Sequence, residues 1–380
     1  MHQRLLLRLM PLLLAGLVAG CGMFDDIFTV GVDVEVEEPQ PTSTPADPDV
    51  AENTEEPEDP GAETSAEPPP PATPLPAAYE ALDAESHPNA KTLASEIAQT
   101  LTTYEVGETL EEVTARVASG EQRERLAEAV ASLHHPGGWS RGEVVYPQFG
   151  GLTADSTSVM VVLAQTFGEP GADGPRTEVR VLDVRLRLQD DAWVFDEIAS
   201  AGGEPADRPD DLPPEAVAVL DDPRIELPDS ARWDIHRGAV EPELLALMTR
   251  MADATGDLGV VVLESGHPYN VYGTDRVSDH MRGRAVDFYR IGGEMVIEGR
   301  FSETSVTYQA VQAIYDDASE PVIGSPWALD AFGGRSFTDA VHLDHIHMAI
   351  RPPREPDVAP EEGAPVDEDA TDETESATDD

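Results

Sequence analysis

Two short segments hold residue types able to do chemistry together. The first is Ser278-Asp279-His280-Met281-Arg282-Gly283-Arg284-Ala285-Val286-Asp287, and the second is His342-Leu343-Asp344-His345-Ile346-His347. On a strand, side chains alternate faces, so His345 and His347 point the same way and two imidazoles at that spacing reach one ion. In the first segment Gly283 permits a tight turn, and Asp287 falls on the strand that follows it, so His280 and Asp287 can converge. Two imidazoles and one carboxylate make three protein ligands and leave a fourth position open, the arrangement of a hydrolytic zinc site. Taken singly, His280 with Asp287 also fits a structural salt bridge, and the H-x-H pair fits an ordinary alternating strand. Calcium is disfavoured, because it prefers oxygen ligands to imidazole.

These residues need elements to hold them. PELLALMTRMADAT reads as an amphipathic helix, LGVVVLE as a buried strand, VTYQAVQAIYDDA as a second helix and LDHIHMAI as a last strand. Residues 217–351 therefore predict an α+β domain with helices over one side of a small antiparallel sheet. Residues 201–216 (AGGEPADRPDDLPPEA) read as a linker. Residues 81–200 open with three helical patterns, the second starting at a capping box of Thr109 and Glu112. Strand-like runs follow. In EVRVLDVRLRL, Val179, Val181, Val184 and Leu186 largely alternate with charged residues, as in a half-buried antiparallel strand. This smaller α+β domain resembles the NTF2-like cone in its order of elements, without a catalytic constellation of its own.

The remaining sequence sets the setting. The chain has 380 residues, 33 Pro, 30 Gly and a formal charge of −51. Residues 1–21 read as a secretory signal: a charged start, then an apolar run too short for a confident membrane span. Its end, Val18-Ala19-Gly20-Cys21, resembles the lipobox of bacterial lipoproteins. That resemblance implies lipidation of Cys21 and anchoring in the bilayer on the extracytoplasmic face. Cys21 is the single cysteine, so the fold has no intrachain disulfide. Residues 22–80, acidic and proline-rich, are expected to be a disordered spacer, and residues 352–380 a disordered acidic tail. So much negative charge argues against nucleic acid or anionic lipid as an electrostatic partner.

S-x-H-x-x-G-R-A-x-D followed downstream by D-H-x-H resembles the LAS metallopeptidases, which include the M15 zinc D-Ala-D-Ala peptidases and have the hedgehog signalling domain as a relative. The resemblance spans residues 260 to 350. It implies an antiparallel sheet packed with helices and a zinc-dependent peptidase acting on peptidoglycan peptides. Position by position, it implies His280, Asp287 and His347 as zinc ligands, Asp344 as general base, His345 as oxyanion stabiliser and Ser278 as the hydroxyl of the first motif. One stretch departs from the family. Where its carboxypeptidases have S-G-Y-R, with an arginine for the substrate carboxylate, this chain has Ser265-Gly266-His267-Pro268. Arg276 and Arg282 are the candidates to replace that arginine, and His267 either lines the cleft or caps a turn. A metal-bearing fold that recognises wall peptide without cleaving it is the alternative reading.

Overall fold

The computed structural model describes residues 67–351, which lie in one compact unit. Cys21, the signal segment, most of the acidic spacer and the acidic tail lie outside the described residues. Among the described residues no helix is long and apolar enough to cross a membrane.

The first part of the unit contains α1 (Pro88–Leu101), α2 (Leu110–Thr114) and α3 (Gly120–Ala129). Four strands follow: β1 (Trp139–Leu152), β2 (Ser156–Gly168), β3 (Arg176–Gln189) and β4 (Ala192–Ser200). Thr109 caps α2 in the expected box with Glu112. The strands form an antiparallel meander in the order β1-β2-β3-β4. One face of the meander carries Phe149, Val161, Leu182 and Leu186, packed against Ala94, Ile97 and Leu101 of α1.

The second part runs α4 (Pro214–Asp221), β5 (Ile225–Glu226), α5 (Asp229–His236), α6 (Pro242–Thr255), β6 (Leu258–Val262), β7 (Ala285–Ile291) and β8 (Glu294–Met295). It continues with α7 (Val296–Gly299), α8 (Val306–Tyr315), β9 (Val322–Gly324), β10 (Ser336–Phe337) and β11 (Ile346–Ala349). Proline at its first position starts α6, and Gly256 at φ 91° ends it. The sheet order is β10-β9-β11-β7-β6-β5, with β8 beside β7. It is mixed rather than purely antiparallel, because β10 runs parallel to β9 and β5 parallel to β6. Helices α4, α6 and α8 cover the face bearing Val260, Val286, Phe288, Ile346 and Met348. The fold class is thus mixed α and β, with one antiparallel and one mixed sheet.

The two parts are not beads on a linker. Tyr146, Met160, Val162 and Val181 of the meander pack against Val261, Val262, Tyr289 and Ile297 in a shared apolar layer. Burial of such a side chain is worth roughly 1.5–3 kcal/mol. This layer also corrects the half-buried reading of β3. Its central residues 180–184 are buried on both faces, since Leu182 and Val184 face α1 while Val181 faces the second sheet. The linker residues are likewise tied down. The Gly202 carbonyl accepts from Ser230 Oγ at 2.6 Å, and Ala206 O accepts from His236 Nδ1 at 2.7 Å. Nor does the spacer run free to residue 80. Trp139 Nε1 donates to Pro70 O at 2.6 Å, Arg141 Nε to Thr73 O at 3.0 Å, and Gln99 Nε2 to Ala77 O at 2.9 Å.

Candidate metal centre

Register brings the candidate ligands together. Strands β11 and β7 pair so that His347 stands directly opposite Asp287, and opposed residues share a face. That face is the one away from the covering helices. His280 arrives from a single 3₁₀ turn, His280–Arg282, ended by Gly283 in the left-handed region at φ 66°. A Cβ on Gly283 would lie 2.0 Å from the carbonyl oxygen of Ala239, so both the conformation and the close approach require glycine.

Three donor atoms converge. His280 Nε2 lies 3.2 Å from His347 Nδ1 and 3.2 Å from Asp287 Oδ1, and His347 Nδ1 lies 3.0 Å from Asp287 Oδ1. Ligands about 2.0 Å from a tetrahedral zinc ion are about 3.3 Å apart, so this triangle fits such an ion. The His280 tautomer fits too. Its Nδ1–H donates to Leu263 O at 2.7 Å, leaving Nε2 as the free donor atom. The turn carrying Leu263 is itself fixed by the buried carboxylate of Asp234, which accepts from the backbone N–H groups of Glu264 and Ser265 at 2.9 and 2.8 Å.

His267 is the neighbouring imidazole. With His280 and Asp287 it forms a group able to hold a metal ion, one ligand atom of each lying within 4.8 Å of the others. Its ring stacks on His280 at 4.0 Å between centroids, and its Nδ1 donates to Pro268 O at 2.7 Å. His347 Nδ1, 3.0–3.2 Å from the other two donors, is the second candidate for the third ligand. His267 lines the cleft above the site.

Asp344 does not face the cleft as a general base would. It is fully buried in the turn before β11, which begins only at Ile346. Its Oδ1 accepts from His345 Nδ1 at 2.6 Å, and its Oδ2 accepts from the Phe149 backbone N–H at 3.1 Å and lies 2.6 Å from Lys91 Nζ. His345 instead projects into the cleft, with Nε2 3.8 Å from Asp287 Oδ2. The pair is an Asp–His dyad whose imidazole lies beside the triangle of donor atoms, with Asp344 orienting the ring.

The cleft over the site has a volume of about 440 Å³. Arg276 and Tyr272 line it from the 270–277 loop, and Gly150 and Gly151 line it from β1. Arg282 does not line it, and pairs instead with Asp279 at 3.4 Å on an exposed surface. Ser278 lines the cleft as a largely buried residue, its hydroxyl accepting from the His280 backbone N–H at 3.3 Å. A second dyad stands at the rim, with His342 Nδ1 donating to Asp339 Oδ1 at 2.7 Å. The His342 and His345 rings are 4.9 Å apart between centroids.

Sequence reasoning missed the contribution of the first part, from helix α1 as well as strand β1. Besides Lys91, Gln148 of β1 reaches the site, donating from Nε2 to Asp287 Oδ2 at 2.7 Å. One signal for Lys91 was present. It is the single lysine of the chain, and it stands on the apolar face of α1 with Ala94, Ser95 and Ala98.

The charges follow from burial set against neighbours. Burial pulls the His347 imidazole down to about 4, outweighing the upward pull of Asp287. Burial likewise holds His267 well below the usual histidine range, with His280 adding to it. Burial would also lower His345, but Asp287 and the bond to Asp344 outweigh it and raise that imidazole. Burial would raise Asp287, but the His280 and His345 imidazoles hold its carboxyl well below the carboxylate range. His347 is thus neutral at ordinary pH, as a metal ligand must be.

A pH dependence follows for the metal-free protein. Between pH 6.5 and about 4, the imidazole of His347 is protonated in the unfolded chain and neutral in the folded one. The unfolded state then holds more protons, so stability rises with pH across that window, by an amount on the order of 3 kcal/mol when fully developed. His345 has the opposite sign: its contribution is full below pH 6.5 and is lost as pH rises through its raised folded value. The melting temperature of metal-free protein is expected to fall as pH drops from 6.5 to about 4, and His347→Gln is expected to make that limb shallower, with the depressed His267 supplying part of the slope that remains. Thermal melts at a series of pH values check this. The same slope in the variant contradicts it.

The chain matches no family model, no curated protein and no solved structure.

Proposed function

We propose that the chain is a zinc-dependent peptidase of the LAS type, tethered to the extracytoplasmic face of the membrane through lipidated Cys21 and acting on peptidoglycan peptides. The observation that carries this reading is the triangle of His280 Nε2, Asp287 Oδ1 and His347 Nδ1, with sides of 3.0–3.2 Å, beneath an open cleft. The two ordered motifs, S-x-H-x-x-G-R-A-x-D and D-H-x-H, support it from the sequence. Imidazole donors favour zinc over calcium. Bound zinc would supply a Lewis acid and lower the pKa of its water to about 7.

The chain's own groups would do the rest. With the Asp287 charge taken up by bound metal, the pull that raises His345 would relax, and its Nε2 would take the proton of the water that attacks the peptide carbonyl and pass it to the leaving amine, so one C–N bond breaks and one C–O bond forms. Asp344, bonded to His345 Nδ1, holds the tautomer with Nε2 free and stabilises the imidazolium. Arg276 is the cleft-lining cation available to a substrate carboxylate, in place of the family arginine that Pro268 displaces. The NTF2-like reading of the first part belongs to the same proposal, with a supporting rather than a catalytic role.

The test is incubation of the full zinc-loaded chain with purified muropeptides, followed by mass spectrometry. Cleaved stem or cross-bridge peptides are expected. Stoichiometric zinc with every muropeptide intact overturns the peptidase reading in favour of a metal-bearing binding protein.

A further inference from the structure

Two polar side chains of the first part reach the centre across the apolar layer, and neither is explained by the fold it sits in. Gln148 is fully buried, and its Nε2 donates to Asp287 Oδ2 while its Oε1 has no partner. A buried acceptor left unpaired costs about 1–3 kcal/mol. An apolar side chain of similar shape would serve the packing better, so the donor is what distinguishes glutamine there. Its effect is directional. With Oδ2 bonded to Gln148, Asp287 presents Oδ1 to His280 Nε2 and His347 Nδ1.

Lys91 follows the same logic. Its ammonium is buried among Glu85, Asp344 and the Tyr146 hydroxyl, the last at 3.4 Å. A buried ion pair of this kind adds little stability, because desolvation offsets the attraction. What it does is fix one group. Lys91 and the Phe149 N–H take Asp344 Oδ2, which leaves Oδ1 to grip His345 Nδ1.

We propose that Gln148 and Lys91 are positioning residues of the metal centre, Gln148 setting the ligand oxygen of Asp287 and Lys91 setting the His345 ring through Asp344. The first part is then a built-in support for the site rather than a separate module. Only the Lys91 arm rests on the peptidase reading, since the Gln148 arm is read by metal binding alone.

The experiment uses the full chain, wild type and variant, with zinc as the probe. Zinc affinity is measured by competition with a chromophoric chelator, and folding by circular dichroism without metal. Gln148→Met keeps the length and loses the donor. It is expected to stay folded and to weaken zinc binding by about 10–100-fold, the usual cost of losing an outer-sphere partner. Lys91→Met is expected to leave zinc affinity within about twofold while lowering kcat at least tenfold at unchanged KM, with Lys91→Arg recovering part of the rate; the magnitude is that of a misplaced acid–base group. A folded Gln148→Met that binds zinc as tightly as wild type overturns the proposal, even if Lys91→Met fails to fold. Wild type that binds zinc but cleaves nothing removes the peptidase reading and leaves the Gln148 result to decide. Wild type that binds no zinc overturns both.

Discussion

His347→Ala is expected to empty the centre of metal. In the proposed centre the ion would have three protein donors, and this variant would leave His280 Nε2 and Asp287 Oδ1, 3.2 Å apart, with His267 as the nearest other imidazole. Complete protein zinc sites are worth about 10–16 kcal/mol, so a ligand carrying a quarter of that accounts for a loss of roughly 100-fold or more in affinity. His267 is the side chain placed to compete for that role, since its Nδ1 donates to Pro268 O and leaves Nε2 free, but the ligand atoms of its group lie only within 4.8 Å of one another, against 3.0–3.2 Å for the His347 triangle. The matched variant His267→Ala is accordingly expected to keep its zinc. Elemental analysis of both proteins after dialysis decides the matter. Zinc retained in His347→Ala and lost in His267→Ala would make His267 the third ligand.

Asp344→Asn is expected to lower kcat by about 10²–10⁴ while leaving zinc in place. The carboxylate accepts from His345 Nδ1 and directs Nε2 toward the cleft. An amide can hold the opposite tautomer, which spoils His345 as a base without removing any ligand. The variant also takes one of two carboxylates from Lys91, so a lower melting temperature is expected alongside. Rates on a muropeptide substrate, measured with zinc content on the same sample, separate the effects. A rate within a few-fold of wild type would remove the dyad from the chemistry.

What the sequence made legible was local. The helix over Pro242–Thr255, the buried strand Leu258–Val262 and the glycine turn at Gly283 all follow from short-range pattern. So does the approach of His280 to Asp287 around one tight turn, whereas His347 joins them only through the pairing of β11 with β7, which the resemblance rather than alternation implied. What lay beyond reach was long-range. Gln148 is 139 residues from Asp287 and the Phe149 N–H is 195 from Asp344, and no periodicity announces such contacts. The same sheet-on-sheet packing buried both faces of β3, which alternation alone reads as half exposed. The general-base role for Asp344 came from the resemblance alone, and motif position does not show that its oxygens are taken by His345 Nδ1, the Phe149 N–H and Lys91.

Zinc-edge anomalous diffraction from crystals of the zinc-loaded chain tests the metal assignment most directly. The expected result is one strong site about 2.0–2.2 Å from His280 Nε2, Asp287 Oδ1 and His347 Nδ1, with a fourth direction open to the cleft. An ion held by other side chains, or no ion within reach of those three atoms, would contradict it.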